Sequence, residues 1–174
     1  MGWKQPDFKR LIVRRFLAFT IIFFVLSWAM DFASSVIMIT KLGSKSESNL
    51  AQDHFVQEPS LVHLYWWFMN ELFYFILLAI ILISFFAFRH FSKAYKLKPL
   101  QRGLAFLVAS LSIIFGGYRF IIGYFGNMNA MAAKFGLICI VIFFASFVAI
   151  VAFGYKYVLF DSLSQTKKSE YKGD

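Results

Sequence analysis

The sequence predicts an all-α integral membrane protein of four transmembrane helices, with the N and C termini in the cytoplasm. Three observations predict it: an extreme apolar content, four long apolar runs, and a one-sided distribution of Lys and Arg. Sixty per cent of the 174 residues are apolar, 21% are aromatic, 24 are Phe, and the mean hydropathy is +0.66. A soluble domain carries about 45–50% apolar residues, so a soluble fold has nowhere to hide this surface. The apolar runs fall at about 16–40, 61–88, 103–125 and 135–157. Each exceeds the roughly 20 helical residues that cross about 30 Å of hydrocarbon. None alternates apolar and polar residues as barrel strands do, and in lipid a helix satisfies its own backbone. A single four-span membrane domain over 1–174 is expected.

The first run follows Lys4, Lys9, Arg10, Arg14 and Arg15. At about 25 residues it is longer than the 7–15 of a signal peptide's apolar region and no convincing small-x-small cleavage site ends it, so a retained anchor is expected. Trp3 and Pro6 suggest a short interfacial lead-in. The connection 41–60, with Gly43, Ser44, Ser46, Ser48, Asn49, Asp53, His54 and Pro59, reads as an exposed external loop. Tyr65, Trp66 and Trp67 open the second run as an aromatic interface belt.

A basic connection, 89–102, follows with Arg89, Lys93, Lys96, Lys98 and Arg102 interleaved with aromatic residues. It suits anionic lipid headgroups or an acidic cytoplasmic partner. The third run carries the small residues Ser112, Gly116, Gly117 and Gly123. Ser112 and Gly116 form a small-xxx-small pair that lets another helix approach. Gly126-Asn127-Met128-Asn129 reads as a tight turn. The fourth run holds the single Cys139, read as a small apolar core residue. A polar tail, 161–174, closes the chain.

Orientation follows from the basic residues. Fourteen of the 18 fall before the first run, between the second and third, or at Lys156, Lys167, Lys168 and Lys172. The opposite side has Lys41, Lys45 and Lys134. The positive-inside rule therefore places both termini and the 89–102 connection in the cytoplasm. The formal charge of +9 then reflects topology and membrane lipids, and no direct nucleic-acid contact is expected.

Three charges interrupt the apolar runs: Asp31, Glu71 and Arg119, with Asn70 beside Glu71. An ionisable group in hydrocarbon costs roughly 2.5–3.5 kcal/mol on insertion scales, so it normally faces protein and finds a partner. At about 1.5 Å per residue, Asp31 lies about 13 Å below Thr40, Glu71 about 15 Å below Leu61 and Arg119 about 9 Å below Phe125. The three are level, in the outer half of the bundle. One expectation is a structural lock in which Arg119, the partner available to both acids, pairs with Glu71 or Asp31 while the second acid is neutral or faces a neighbouring subunit. The other is a water-filled vestibule used for ion passage or sensing.

Other chemistry is poorly supplied. His63 and His90 stand at opposite ends of the second run, the other runs lack His, and no zinc or haem spacing appears, so neither metal nor cofactor is expected. There is no nucleophile elbow, phosphate loop or metalloprotease motif, and no enzyme activity is expected. With 24 Phe and four helices, a symmetric homo-oligomer is expected. Small Phe-rich four-span proteins with a basic cytoplasmic face occur among bacterial inner-membrane components of conjugation, secretion and anti-phage defence systems. That comparison is one of size and topology. Two functional classes follow: an oligomeric inner-membrane sensor or scaffold signalling to a soluble cytoplasmic effector, or a small ion channel or transporter subunit built on the charged cluster.

Overall fold

A computed structural model describes residues 5–42, 60–94, 99–161 and 163. It is helical in α1 (Gln5–Leu42), α2 (Leu61–Ala94), α3 (Pro99–Phe135) and α4 (Ile138–Tyr155), which continues into a π-helical turn at Lys156–Phe160. The stretches Leu11–Lys41, Leu61–Phe91, Gly103–Phe135 and Ile138–Phe160 are long and apolar enough to cross a membrane. Most of 41–60 and of the 161–174 tail lies outside the described residues, as do Lys96 and Lys98.

The tight turn expected at 126–129 does not exist. α3 runs unbroken through Gly126, Asn127, Met128 and Asn129 to Phe135. Residues that tolerate unusual backbone angles do not impose them, and tertiary packing on a neighbouring helix overrides their weak preference against helix. The reversal falls instead at Gly136, whose φ of 76° is the left-handed conformation that ends helices. Gly136 N–H donates to the Ala132 carbonyl at 2.9 Å, closing α3, and Val141 N–H donates to Leu137 O at 3.1 Å as α4 begins. At the other junction Ser60 caps α2: its Oγ accepts from His63 N–H at 3.2 Å and its carbonyl from Leu64 N–H at 3.0 Å.

α1 and α3 form the central pair and run parallel. Phe16 meets Phe106 at one end, Phe24 meets Phe120 near the middle, and Lys134 Nζ donates to the Lys41 carbonyl at 2.9 Å at the other end. That last bond satisfies a carbonyl that the C-terminus of α1 leaves without a helical partner. Contact residues recur in alternating steps of four and three: Thr20, Phe24, Ser27, Asp31, Ser34 and Met38 on α1, and Ile113, Gly117, Phe120, Tyr124, Asn127 and Met131 on α3. This heptad spacing keeps one face of each helix on its partner along the whole length. The hydroxyls in the seam bond to their own helix, Thr20 to Leu17 O and Ser27 to Phe23 O, so they enter the interior without an orphaned donor.

α2 and α4 flank this pair and run antiparallel to it. α2 is held through rings, with Phe75 edge-on to Trp28 at 4.6 Å and Trp67 against Phe32 at 4.9 Å. Trp67 is 2% exposed, so it belongs to the bundle interior and not to an interface belt, whereas Tyr65 and Trp66 are exposed. On α4, Phe143 packs on Tyr124 and Phe125, and Phe153 meets Phe19. Cys139 is buried in a cluster with Met38, Met128 and Met131. The π-helical turn is fastened by Arg15, whose Nη1 donates to Tyr157 O at 2.9 Å while its guanidinium lies 5.2 Å from the Tyr157 ring centre.

Candidate functional site: a polar layer at mid-helix

Because α3 continues to Phe135, Arg119 lies midway along its apolar stretch Gly103–Phe135, deeper than the sequence reading placed it. Its side chain turns toward α2, where Nη1 stands 3.6 Å from Glu71 Oε2. The guanidinium lies 4.0 Å from the centre of the Tyr74 ring and 5.1 Å from that of Phe120. A flat, weakly hydrated cation is well matched to aromatic faces of this kind. Glu71 is nearly enclosed, its side chain 8% exposed, while that of Arg119 is 44% exposed. Asn70, next to Glu71, is exposed on α2.

Asp31 is held differently. It lies within electrostatic range of both Glu71 and Arg119, but its hydrogen-bond partner is Asn127. Of the two acids the sequence offered to Arg119, it pairs with Glu71, and an amide takes Asp31. The Asn127 amide nitrogen stands 2.7 Å from Ser35 Oγ, 2.9 Å from Ser34 Oγ and 3.3 Å from Asp31 Oδ1. Ser34 in turn donates to the Asp31 carbonyl at 2.9 Å. With two protons to give, the amide spends its short bonds on the two hydroxyls and leaves the carboxylate a longer contact.

The close approach of the helices makes this possible. Asp31 rests directly on Gly123, where any side chain would strike the carboxylate. Gly116 and Gly117 face the Phe24 and Phe23 rings in the same way, so these three glycines serve contact between α1 and α3 of one chain. Ser112 Oγ donates to the Val108 carbonyl of its own helix.

Asn127, Ser34, Ser35 and Tyr74 are the site residues that sequence reasoning missed. The signal was present: Arg119, Gly123 and Asn127 follow at steps of four, which puts them on one side of a helix if the helix is allowed to continue. The basic residues lie elsewhere. Arg89 is exposed near the end of α2, and Lys93 and Arg102 fall on the terminal turns of α2 and α3.

Chemically, the layer is a set of cross-helix bonds. It joins α2 to α3 by a charge pair and α1 to α3 by an amide with hydroxyls and a carboxylate. Among the described residues, no three His, Cys, Asp or Glu side chains gather as metal ligands. No protein-family model, no curated protein and no solved structure matches the chain.

Proposed function

We propose that this chain is a non-enzymatic subunit of a homo-oligomeric sensor or scaffold in a bacterial inner membrane. It holds or signals to a soluble cytoplasmic effector in a system of the antiviral-defence kind. The observation that supports this reading is how the polar layer is used: Glu71, Arg119, Asp31, Asn127, Ser34 and Ser35 bond from one helix to the next. In hydrocarbon such bonds have few replacements, so a displacement of α1 or α2 is passed to α3 instead of being absorbed. The basic segment Arg89, Lys93, Lys96, Lys98 and Arg102 joins α2 to α3, and a change of their relative tilt re-aims it toward an acidic partner.

Two measurements, read together, test this. Purified protein in liposomes is expected to pass no ions. Membranes carrying the chain are expected to retain a soluble protein that is lost when Lys96→Glu, Lys98→Glu and Arg102→Glu are combined. Ion flux abolished by Glu71→Gln overturns the scaffold reading. That outcome instead supports a small channel or transporter subunit, the alternative favoured by the half-open flank of Arg119.

A further inference from the structure

The sulfur atoms of this chain are not scattered. Of its six methionines, Met30, Met38, Met128 and Met131 meet in one interior cluster with Cys139, its single cysteine. Among the described residues the other interior cluster, built on Phe24, Leu78, Ile113 and Phe120, holds no sulfur. A flexible thioether fills irregular gaps well, and one methionine in a core calls for no further account. Packing alone gives no reason for thioethers to collect around the thiol, since Leu fills nearly the same volume.

Three helices bring the sulfurs together. Met38 on α1 and Met131 on α3 each stand three residues before the two lysines joined by the bond from Lys134 Nζ to the Lys41 carbonyl. On parallel helices that makes them level, about 4.5 Å further into the bundle. Met128 lies one turn deeper on α3, and Cys139 enters from a third side, in the first turn of α4 just past the reversal at Gly136. All four are more than nine-tenths buried, and the Cys139 thiol makes no hydrogen bond to any described residue. Ile121 and the rings of Tyr124 and Phe143, 5.4 Å apart, close the cluster against water. Met30, eight residues from Met38 and so about 12 Å away along α1, is a neighbour of the four and not one of them.

We infer that Met38, Met128, Met131 and Cys139 form a site for one Cu(I) ion, three thioethers and one thiolate around a soft monovalent cation. Thioether and thiolate sulfur select Cu(I), whereas Mg²⁺ and Ca²⁺ take oxygen ligands that this cluster does not offer. Charge points the same way. On binding, the Cys139 S–H bond breaks, an S–Cu bond forms and the proton leaves to solvent, while copper arrives and stays as Cu(I). The thiolate then cancels the single charge of the ion, and a divalent ion would leave one charge uncompensated in an apolar interior. The site lies apart from the Arg119–Glu71 pair and does not depend on the scaffold reading.

The purified full chain, titrated anaerobically with Cu(I) in competition with bicinchoninate, tests the site. About one equivalent per chain is expected to be retained, with X-ray absorption at the copper edge showing a shell of sulfur alone. Cys139→Ser, Met38→Leu and Met131→Leu are each expected to weaken binding by about tenfold or more, since even the groups behind the ligands of a metal site are worth that much. The two leucine variants keep the buried volume, so their metal-free melting temperatures should stay close to wild type and a loss of binding in them is the loss of a ligand. Met69→Leu, exposed on α2, is expected to bind as wild type does. No retained copper, or nitrogen or oxygen in the shell, overturns the site. So does binding that needs Cys139 but survives Met38→Leu combined with Met131→Leu, which would show a thiol taking up copper by itself.

Discussion

The Asp31 carboxylate fills the space that a side chain at Gly123 would take: a Cβ built there lies 2.5 Å from Asp31 Oδ1. The pairing joins an acid on α1 to a missing side chain on α3, and it sets the distance at which Asn127 reaches Ser34 and Ser35. Gly123→Ala pushes the carboxylate away and loosens the amide cluster with it. The expected loss is about 1–3 kcal/mol, the usual range for overpacking an interior. Asp31→Ala empties the same space, so the two substitutions together should cost less than their sum by at least about 0.5 kcal/mol. Unfolding of the four proteins in detergent micelles measures this, and strictly additive losses would show that the residues do not touch.

Arg119 and Glu71 are expected to couple in the same fashion. Removing one member of an enclosed ion pair costs about 3–5 kcal/mol, and the half-open guanidinium puts Arg119→Ala at or below the lower figure. Adding Glu71→Ala removes the stranded acid and should recover much of the loss. Arg119→Lys separates the two parts of the interaction. It keeps the charge for Glu71 but gives up the planar contact with Tyr74, so it should fall between wild type and Arg119→Ala.

These two relationships differ in how readable they were. Four helices long and apolar enough to cross a membrane follow from hydropathy, because an apolar run of that length satisfies its backbone as helix whatever its neighbours do. The partnership of Arg119 with Glu71 was within reach for the same reason, since the chain offers few charges at that depth. Asn127 was not, because Gly126 and the two asparagines signal a turn when the sequence is read locally. What keeps that segment helical is non-local: Asn127 bonds to α1 hydroxyls and Tyr124, Met128 and Met131 pack against α1 and α4. Trp67 escaped in the same way, as a residue suited to an interface whose ring is claimed by Phe32.

Gly136 tests where α3 truly ends. Its φ of 76° is one that a residue with a Cβ adopts at a cost of roughly 1–2 kcal/mol. Gly136→Ala should lose about that much stability, and Gly136→Asn less, because asparagine visits the left-handed region more readily. Gly126→Ala, by contrast, lies within regular helix with open space around it and should gain slightly in monomer stability. If Gly126→Ala proves the more damaging of the two to the isolated monomer, the turn has been misplaced.

Arg15 gives the last prediction, at the opposite end of the bundle. Its bond to Tyr157 O and its position over the Tyr157 ring tie the start of α1 to the π-helical turn that ends α4. Tyr157 is also stacked on Phe153, one turn earlier and itself against Phe19 of α1. Arg15→Ala removes a charge-assisted hydrogen bond at a partly buried site, worth about 1.5–3 kcal/mol where fully formed. The bond joins the start of α1 to the turn alone, so the loss should be local. Amide exchange after Tyr155 should accelerate by about tenfold or more, while amides around Asn127 and Gly136 keep their wild-type rates. Arg15→Lys retains a donor and a charge without the flat guanidinium, so it should protect the turn only in part. Uniform acceleration along all four helices would instead mean that Arg15 stabilises the bundle as a whole and that the turn opens only when the bundle does.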